Sequence, residues 1–141
     1  MSATCESEGV AKGTPKEWTT YDILSPGLAF GRLSESWLIE ANTLLHKKIA
    51  EDAASLETFQ AVYRQNSDSF WGLFEQKGRS HDLVGFYCQL MLNEDGHQAL
   101  LNRTINLKKP HPALLCNDGE DADAIYVWAM LAERKLDIFR P

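Results

Sequence analysis

The fold of this chain depends on the stretch Ala124-Ile125-Tyr126-Val127-Trp128-Ala129-Met130-Leu131-Ala132, its longest apolar run, which ends nine residues before the last residue. A run this apolar must bury most of its surface. As a strand, it is typical of a central position in a sheet, covered on both faces and paired on both edges. As a helix, it continues into Leu136 and Phe139 and closes a finished domain. Periodicity alone does not separate a buried strand from a buried helix, so both interpretations stay open.

Length and composition indicate one globular domain. The chain has 141 residues, of which 44% are hydrophobic and 24% are charged. These values are ordinary for a single folded domain. Residues 1–16 are rich in Ser, Thr, Gly, Glu and Lys. We therefore expect a mobile N-terminal tail over residues 1–16, followed by a single domain over residues 17–141.

The charge of the chain argues against a nucleic-acid partner. Its formal net charge is -6, whereas binding to a phosphate backbone requires clustered lysines and arginines. The basic clusters are only pairs, and we interpret them as solvated side chains on exposed faces. They are Lys47-Lys48, Lys108-Lys109 and Arg134-Lys135.

Residue types also bear on location and on metals. The three cysteines are widely spaced and the first residues form no apolar leader, a pattern typical of a cytoplasmic protein. No apolar run approaches the roughly 20 residues of a membrane span, so we expect no membrane partner. The four histidines show neither metal-ligand spacing nor an HExxH motif, so we expect no metal.

Strand and helix patterns alternate along the chain. Aromatic and β-branched residues predict strands, and apolar residues at spacings of three and four predict helices. The predicted strands are residues 18–24, 70–75 and 83–92, and the predicted helices are residues 34–50, 55–65 and 93–105. With residues 124–132 as a further strand, these elements predict an α+β fold, in which two or three helices pack on a mostly antiparallel sheet of about four strands.

The order strand, two helices, hairpin and apolar strand resembles the N-terminal half of the GNAT superfamily of N-acyltransferases. The resemblance extends over residues 18–132. It implies an enzyme that transfers an acyl group from acetyl-CoA, or another acyl-CoA, to an amine. In that family the fourth strand supplies backbone groups that hold the pantetheine arm of the coenzyme. Carried over by position, this role falls on Trp128, Ala129, Met130 and Leu131.

A glycine-rich turn of the form R/Q-x-x-G-x-G/A follows that strand in the family and cradles the pyrophosphate. Residues 133–138 occupy its place here and contain no glycine. We therefore expect a truncated or degenerate member of the family.

The resemblance also implies two candidate catalytic residues. Glu75, at the end of a predicted strand, is the candidate base that takes a proton from the amine, and Tyr126 is the candidate acid that protonates the leaving thiolate. Each residue also has an ordinary structural interpretation, since a strand-end glutamate is commonly solvated and a tyrosine in an apolar run commonly packs in the core. Cys88 is interpreted as a small buried residue rather than a nucleophile.

A second class of function suits the same composition, namely a small acidic protein-binding or regulatory module, chaperone-like and without catalysis. An edge strand over residues 124–132 exposes unpaired backbone groups, which predicts a homodimer or a partner protein bound through this segment. A strand with an open edge there favours the acyltransferase. A helix from Asp123 to Phe139 favours the binding module.

Overall fold

The computed structural model of the chain describes residues 21–25 and 27–132. They form one antiparallel sheet with three α-helices packed against it, which confirms the predicted α+β fold, although the sheet has five strands rather than about four. The predicted tail, residues 1–16, lies outside the described residues. The strands are β1 (Tyr21–Ser25), β2 (Leu28–Arg32), β3 (Phe70–Lys77), β4 (Ser80–Leu92) and β5 (Ala124–Ala132), and the helices are α1 (Leu38–Lys48), α2 (Leu56–Gln65) and α3 (Glu94–Leu101).

The strands lie in the sheet in their order along the chain, β1-β2-β3-β4-β5, and each pairs antiparallel with the next. Helices α1 and α2 connect β2 to β3, and α3 lies in the connection from β4 to β5. Strand β2, which the sequence did not predict, pairs with β1 on one side and β3 on the other.

Helices α2 and α3 each begin with a side chain that caps the first turn. Ser55 precedes α2, and its hydroxyl accepts a hydrogen bond from the amide of Thr58 at 3.2 Å. Asn93 precedes α3, and its Oδ1 accepts from the amide of Gly96 at 2.9 Å. The predicted helix over residues 34–50 is a 3₁₀ turn, Glu35–Trp37, followed by α1. The helix predicted to reach Ile105 ends at Leu101.

The turn between β3 and β4 is shorter than the sequence predicts. The predicted strands, residues 70–75 and 83–92, leave residues 76–82 between them, whereas β3 extends to Lys77 and β4 begins at Ser80. The turn contains only Gly78 and Arg79. Gly78 has a φ of 63°, a positive value that two-residue hairpin turns require and that glycine adopts without strain.

The apolar run, residues 124–132, is a strand and not a helix, and its position is the edge of the sheet rather than the centre. Within the described residues, β5 pairs with β4 alone. Among these residues the strand therefore lacks the second neighbour of a central position and has the open edge of the alternative interpretation. The continuation of the alternative helix to Phe139 lies outside the described residues.

Helices α1 and α2 cover one face of the sheet, and the main core lies between them and β3, β4 and β5. Phe59 of α2 packs on Phe70 of β3 with ring centroids 5.0 Å apart. Leu90 of β4 is fully buried in the same core. The opposite face carries a smaller cluster built on Leu28, Leu73 and Val84. Burial of this kind stabilises a protein by about 25 cal/mol per Å² of apolar surface removed from water.

Candidate functional site

An apolar cleft lies where β5 faces the end of α1, the loop after it, and a second loop between α3 and the 3₁₀ turn Pro112–Leu114. Its volume is about 230 Å³. The sheet side of the cleft is formed by Tyr126, Trp128, Ala129 and Met130. Among the described residues that line it, Lys108 is the one with a charge. The cleft therefore suits an apolar or extended group with a negative charge near its mouth.

A β-bulge in β5 shapes this wall. Cys88 of β4 pairs with Ala129 and Gln89 pairs with Val127, so that Trp128 is an extra residue in β5. The bulge changes the alternation of side chains, and both Trp128 and Ala129 pack against the helix-covered core. Bulges bend a strand and are frequent next to active sites.

The second wall of the cleft is the loop between α1 and α2. The His46 side chain of α1 contacts the backbone of this loop at two points. Nδ1 of His46 lies 2.7 Å from the carbonyl oxygen of Glu51, and Nε2 lies 2.9 Å from that of Ala54. The Asn42 side-chain amide donates to the same Ala54 oxygen at 3.0 Å. A carbonyl oxygen only accepts hydrogen bonds, so each of these two bonds needs a proton on the histidine nitrogen. A neutral imidazole carries one such proton and makes one of the bonds, whereas an imidazolium carries two and makes both.

An ion pair crosses the mouth of the cleft. Nζ of Lys108 lies 3.1 Å from Oδ2 of Asp52, which stands on the loop between α1 and α2. The hydrogen bond and the charge of Lys108 lower the pKa of Asp52 from its ordinary value. Both side chains are well exposed, so the pair is easily exchanged for other partners.

The structure brings most of the predicted coenzyme-binding residues to this cleft and leaves one candidate catalytic residue far away. Tyr126 lines the cleft beside Trp128, whereas Leu131 packs on the core without lining the cleft. Glu75 pairs with Asp82 of β4, and Tyr126 pairs with Leu90 of the same strand. Because Asp82 and Leu90 are far apart along β4, Glu75 and Tyr126 are separated by roughly 25 Å in the direction of the strands.

Glu75 has a different environment from the solvated one that its sequence position suggests. Its Oε1 is buried and has no hydrogen-bond partner within the described part of the chain. Nζ of Lys77 lies 3.6 Å away, and the same ammonium lies 3.7 Å from Oδ2 of Asp82. The carboxylate therefore belongs to a charged cluster at the hairpin end of the sheet, away from the cleft.

Two thiols lie among the described residues, and both are poor nucleophiles. Cys88 is fully buried, and burial raises its pKa well above the ordinary value. The pKa of Cys116 is also raised, first by burial and then by the charge of Glu120. A thiol in this state forms little of the reactive thiolate.

Sequence reasoning missed the residues that define the mouth and the loop of the cleft. The sequence pattern indicates Lys108 only as one of a solvated pair and gives no signal for Asp52 or His46. Asp52 and Lys108 are 56 residues apart in the chain, and no periodic pattern connects them. Their approach depends on the tertiary fold.

Comparison of the chain with protein-family models, with curated proteins and with solved structures gives no match. Among residues 21–25 and 27–132, no group of three or more His, Cys, Asp or Glu side chains is placed to hold a metal ion. Over the same residues, no helix has the length and apolar character needed to cross a bilayer. The comparisons therefore give no link to the acyltransferases, and the resemblance stays a prediction from the sequence.

Proposed function

We propose that this chain is a GNAT-like acyltransferase domain, degenerate in its phosphate-binding turn, which binds an acyl-CoA along β5. One observation carries the proposal: residues 124–132 form a strand at the edge of the sheet and not a helix. This is the arrangement that separates the acyltransferase from a compact binding module. The full order is β1, β2, α1, α2, β3, β4, α3, β5. It contains the predicted sequence of a strand, two helices, a hairpin and an apolar strand, with β2 and α3 as additional elements.

The chemistry of the ligand suits this strand. A pantetheine arm is extended and carries two amides, so it pairs with free backbone groups in the way that an added strand does. The outer edge of β5 has no partner strand among the described residues. The apolar cleft beside Trp128 and Ala129 then accepts the acyl end of the thioester.

Transfer itself requires an amine to attack the thioester carbonyl carbon. The new C–N bond forms as the C–S bond breaks, and the leaving thiolate takes a proton. Tyr126 lies in the cleft and is the group that donates this proton. The proton lost by the amine goes to water, because Glu75 is too far from Tyr126 to serve the same reaction.

Binding of acetyl-CoA is tested by thermal-shift titration. A ligand that binds only the native state stabilises it by about 2.7 kcal/mol at a hundredfold excess over Kd. Ala129→Phe fills the cleft and is expected to abolish the shift. Ala61→Phe, on the exposed side of α2, is the matched control and is expected to retain it.

A saturable shift that Ala129→Phe removes and Ala61→Phe retains would support the proposal. No shift at millimolar acetyl-CoA would overturn it. A shift that survives in Ala129→Phe, with that variant's unliganded melting temperature unchanged, would place the ligand elsewhere and reject this site.

A second candidate function is a protein-binding module without catalysis, and the surface of β5 favours it. Ile125 and Val127 are exposed by 54% and 47%, and they alternate along β5 with Tyr126 and Trp128, which pack against the helix-covered core. β5 carries no charge, whereas β1, at the other edge, contains Asp22 and is followed by Pro26. Charges and prolines normally protect an edge strand, and β5 has neither.

For this candidate we commit to a second copy of the chain as the partner, with two β5 strands paired antiparallel. Size-exclusion chromatography with light scattering at tens of micromolar is expected to give a dimer. Val127→Lys is expected to give a monomer, and Thr43→Lys, on the exposed side of α1, is the control that keeps the dimer. A monomeric mass for the unmodified chain at that concentration would reject self-pairing.

A further inference from the structure

The His46 ring lies between two carbonyl oxygens of the loop that forms one wall of the cleft. Its Nδ1 is 2.7 Å from the oxygen of Glu51, and its Nε2 is 2.9 Å from the oxygen of Ala54. Both are hydrogen-bond distances, and both oxygens can only accept. A neutral ring has one N–H group and directs the lone pair of its other nitrogen at an oxygen. An imidazolium satisfies both contacts.

We propose that His46 is a proton-operated latch on this loop: the imidazolium ties the loop to α1 at two points, and loss of one proton releases the point at Ala54. Ala53 and Ala54 line the cleft, so the latch sets the position of its wall. The latch needs no ligand and therefore does not depend on the proposed function.

The two points of attachment differ in what else holds them. The side-chain amide of Asn42 also donates to the Ala54 oxygen, at 3.0 Å, so this oxygen keeps a donor when His46 is neutral. The single proton of the neutral ring then serves Glu51 from Nδ1, where the distance is shorter. The lone pair of Nε2 is left facing the Ala54 oxygen, and the two repel each other. Loss of the proton therefore moves the wall of the cleft at Ala54.

Charges of both signs surround the latch. His46 lies in the last turn of α1, where the helix dipole favours a cation. The pKa of Asp52 is lowered mainly by the hydrogen bond and charge of Lys108, and the charge of His46 lowers it further, so the imidazolium and this carboxylate attract. The remaining ionisable groups are Lys47 and Lys48, which follow in α1, Glu51 of the loop and Tyr126 of β5. The lysines oppose a proton on His46, and the carboxylates favour it.

Urea denaturation at about pH 5 and about pH 8 tests the latch, because a histidine changes its charge between these values. His46→Gln keeps an amide donor at either pH and so stands in for the neutral ring. His111→Gln is the matched control with the opposite role. Nδ1 of His111 accepts from the amide of Ala113 at 3.0 Å, and the glutamine oxygen accepts in its place at either pH.

We expect His46→Gln to match the urea midpoint of the unmodified chain at the higher pH and to fall below it at the lower pH. The stabilisation is present in acid and is lost as the pH rises, because only the imidazolium makes the second bond. His111→Gln should instead gain on the unmodified chain in acid, where a proton on Nδ1 removes the acceptor. Equal midpoints for His46→Gln and the unmodified chain in acid would overturn the latch. A deficit of the same size at both pH values would also overturn it, since ordinary packing has that effect.

Nitrogen NMR of the unmodified chain tests the latch without a variant. As the pH rises, the His46 ring should change from two N–H groups to one, at Nδ1. The amide signals of Ala53 and Ala54 should shift along the same titration curve, and they should do so equally in His111→Gln. Amide signals that stay fixed while the ring loses its proton, or a remaining proton on Nε2, would reject the latch.

Discussion

The indole Nε1 of Trp128 donates a hydrogen bond to the carbonyl oxygen of Leu107, with the two atoms 2.7 Å apart. This bond joins the bulge of the edge strand to the loop that carries Lys108. The Trp128 ring also packs against Phe59 of α2, with centroids 5.3 Å apart. One side chain thus fixes three parts of the cleft: strand, loop and helix.

Trp128→Phe removes this hydrogen bond and keeps an aromatic ring in the core. We expect the free energy of unfolding to fall by roughly 1–3 kcal/mol, from the lost bond and the smaller ring. Coenzyme A binding should also weaken, because Trp128 and Leu107 both line the cleft and lose the bond between them. Urea denaturation and titration calorimetry measure the two effects.

Trp71 provides the control for this variant, because its indole donates to the carbonyl of Asp68 at the same distance, 2.7 Å, away from the cleft. Trp71→Phe should lower stability while leaving the affinity for coenzyme A unchanged. Equal losses of affinity in the two variants would mean that the Trp128–Leu107 bond has no special part in the site.

Replacing Gly96 by alanine should change the stability of the chain through two opposing effects, helix propensity and a steric collision. Helix propensity alone favours Gly96→Ala in α3 by about 0.5–1 kcal/mol. A Cβ at this position, however, would collide with the carbonyl oxygen of Leu114 and crowd Leu92. We therefore expect Gly96→Ala to lower the melting temperature, and Gln98→Ala, at an exposed position of the same helix, to leave it nearly unchanged. A higher melting temperature for Gly96→Ala would show that the contact with Leu114 relaxes easily.

The raised pKa values of Cys88 and Cys116 predict inert thiols. With Cys5→Ser in place, we expect the native chain to show no thiol that reacts with an aromatic disulfide reagent at mildly alkaline pH within minutes. The same chain in denaturant should show two. Fast labelling of one thiol under native conditions would mean that the segment around Cys116 or strand β4 opens readily.

The Asp52–Lys108 pair predicts a dependence on pH at the acidic end. Lys108 lowers the pKa of Asp52 from its ordinary value of 3.8, so the folded chain holds a proton at this carboxyl less readily than the unfolded chain does. The contribution of the Asp52–Lys108 pair to the free energy of unfolding is therefore fully present near neutral pH. It is lost as the pH falls through the lowered pKa of Asp52.

Carbon-detected NMR titration of the Asp52 carboxyl measures this pKa directly. In Lys108→Met it should rise back towards 3.8, and in Lys77→Met it should stay low. An unchanged value in Lys108→Met would mean that the ion pair is not formed in solution.

Elements with strong local patterns could be predicted from the sequence, and elements formed by pairing could not. Helix α2 has both an apolar stripe and a capping serine at Ser55, so its bounds were correct. β2 contains Ala29 and Gly31 and has little strand character of its own. It forms because β1 and β3 supply hydrogen bonds on both of its edges. At the hairpin, the last residues of β3 and the first residues of β4 are polar and exposed. Hydrogen bonds between the two strands, rather than burial of apolar side chains, therefore extend both strands up to a short turn.

The site could be predicted only where its residues are neighbours in sequence. Tyr126, Trp128, Ala129 and Met130 share one strand, and the apolar run identified them together. The Asp52–Lys108 pair and the loop bonds of His46 depend on how α1, its loop and β5 are placed in three dimensions. The separation of Glu75 from Tyr126 likewise follows from strand register, which the sequence does not specify.

Because the strands of this sheet lie in their order along the chain, each strand finds its partner already synthesised when it leaves the ribosome. The β1–β2 and β3–β4 pairings use short separations in sequence, which favour fast folding, whereas β2–β3 and β4–β5 enclose helices. The strand that closes the cleft is the last of the described strands to be made. The pocket thus takes shape only after the helices and the rest of the sheet are in place to receive it.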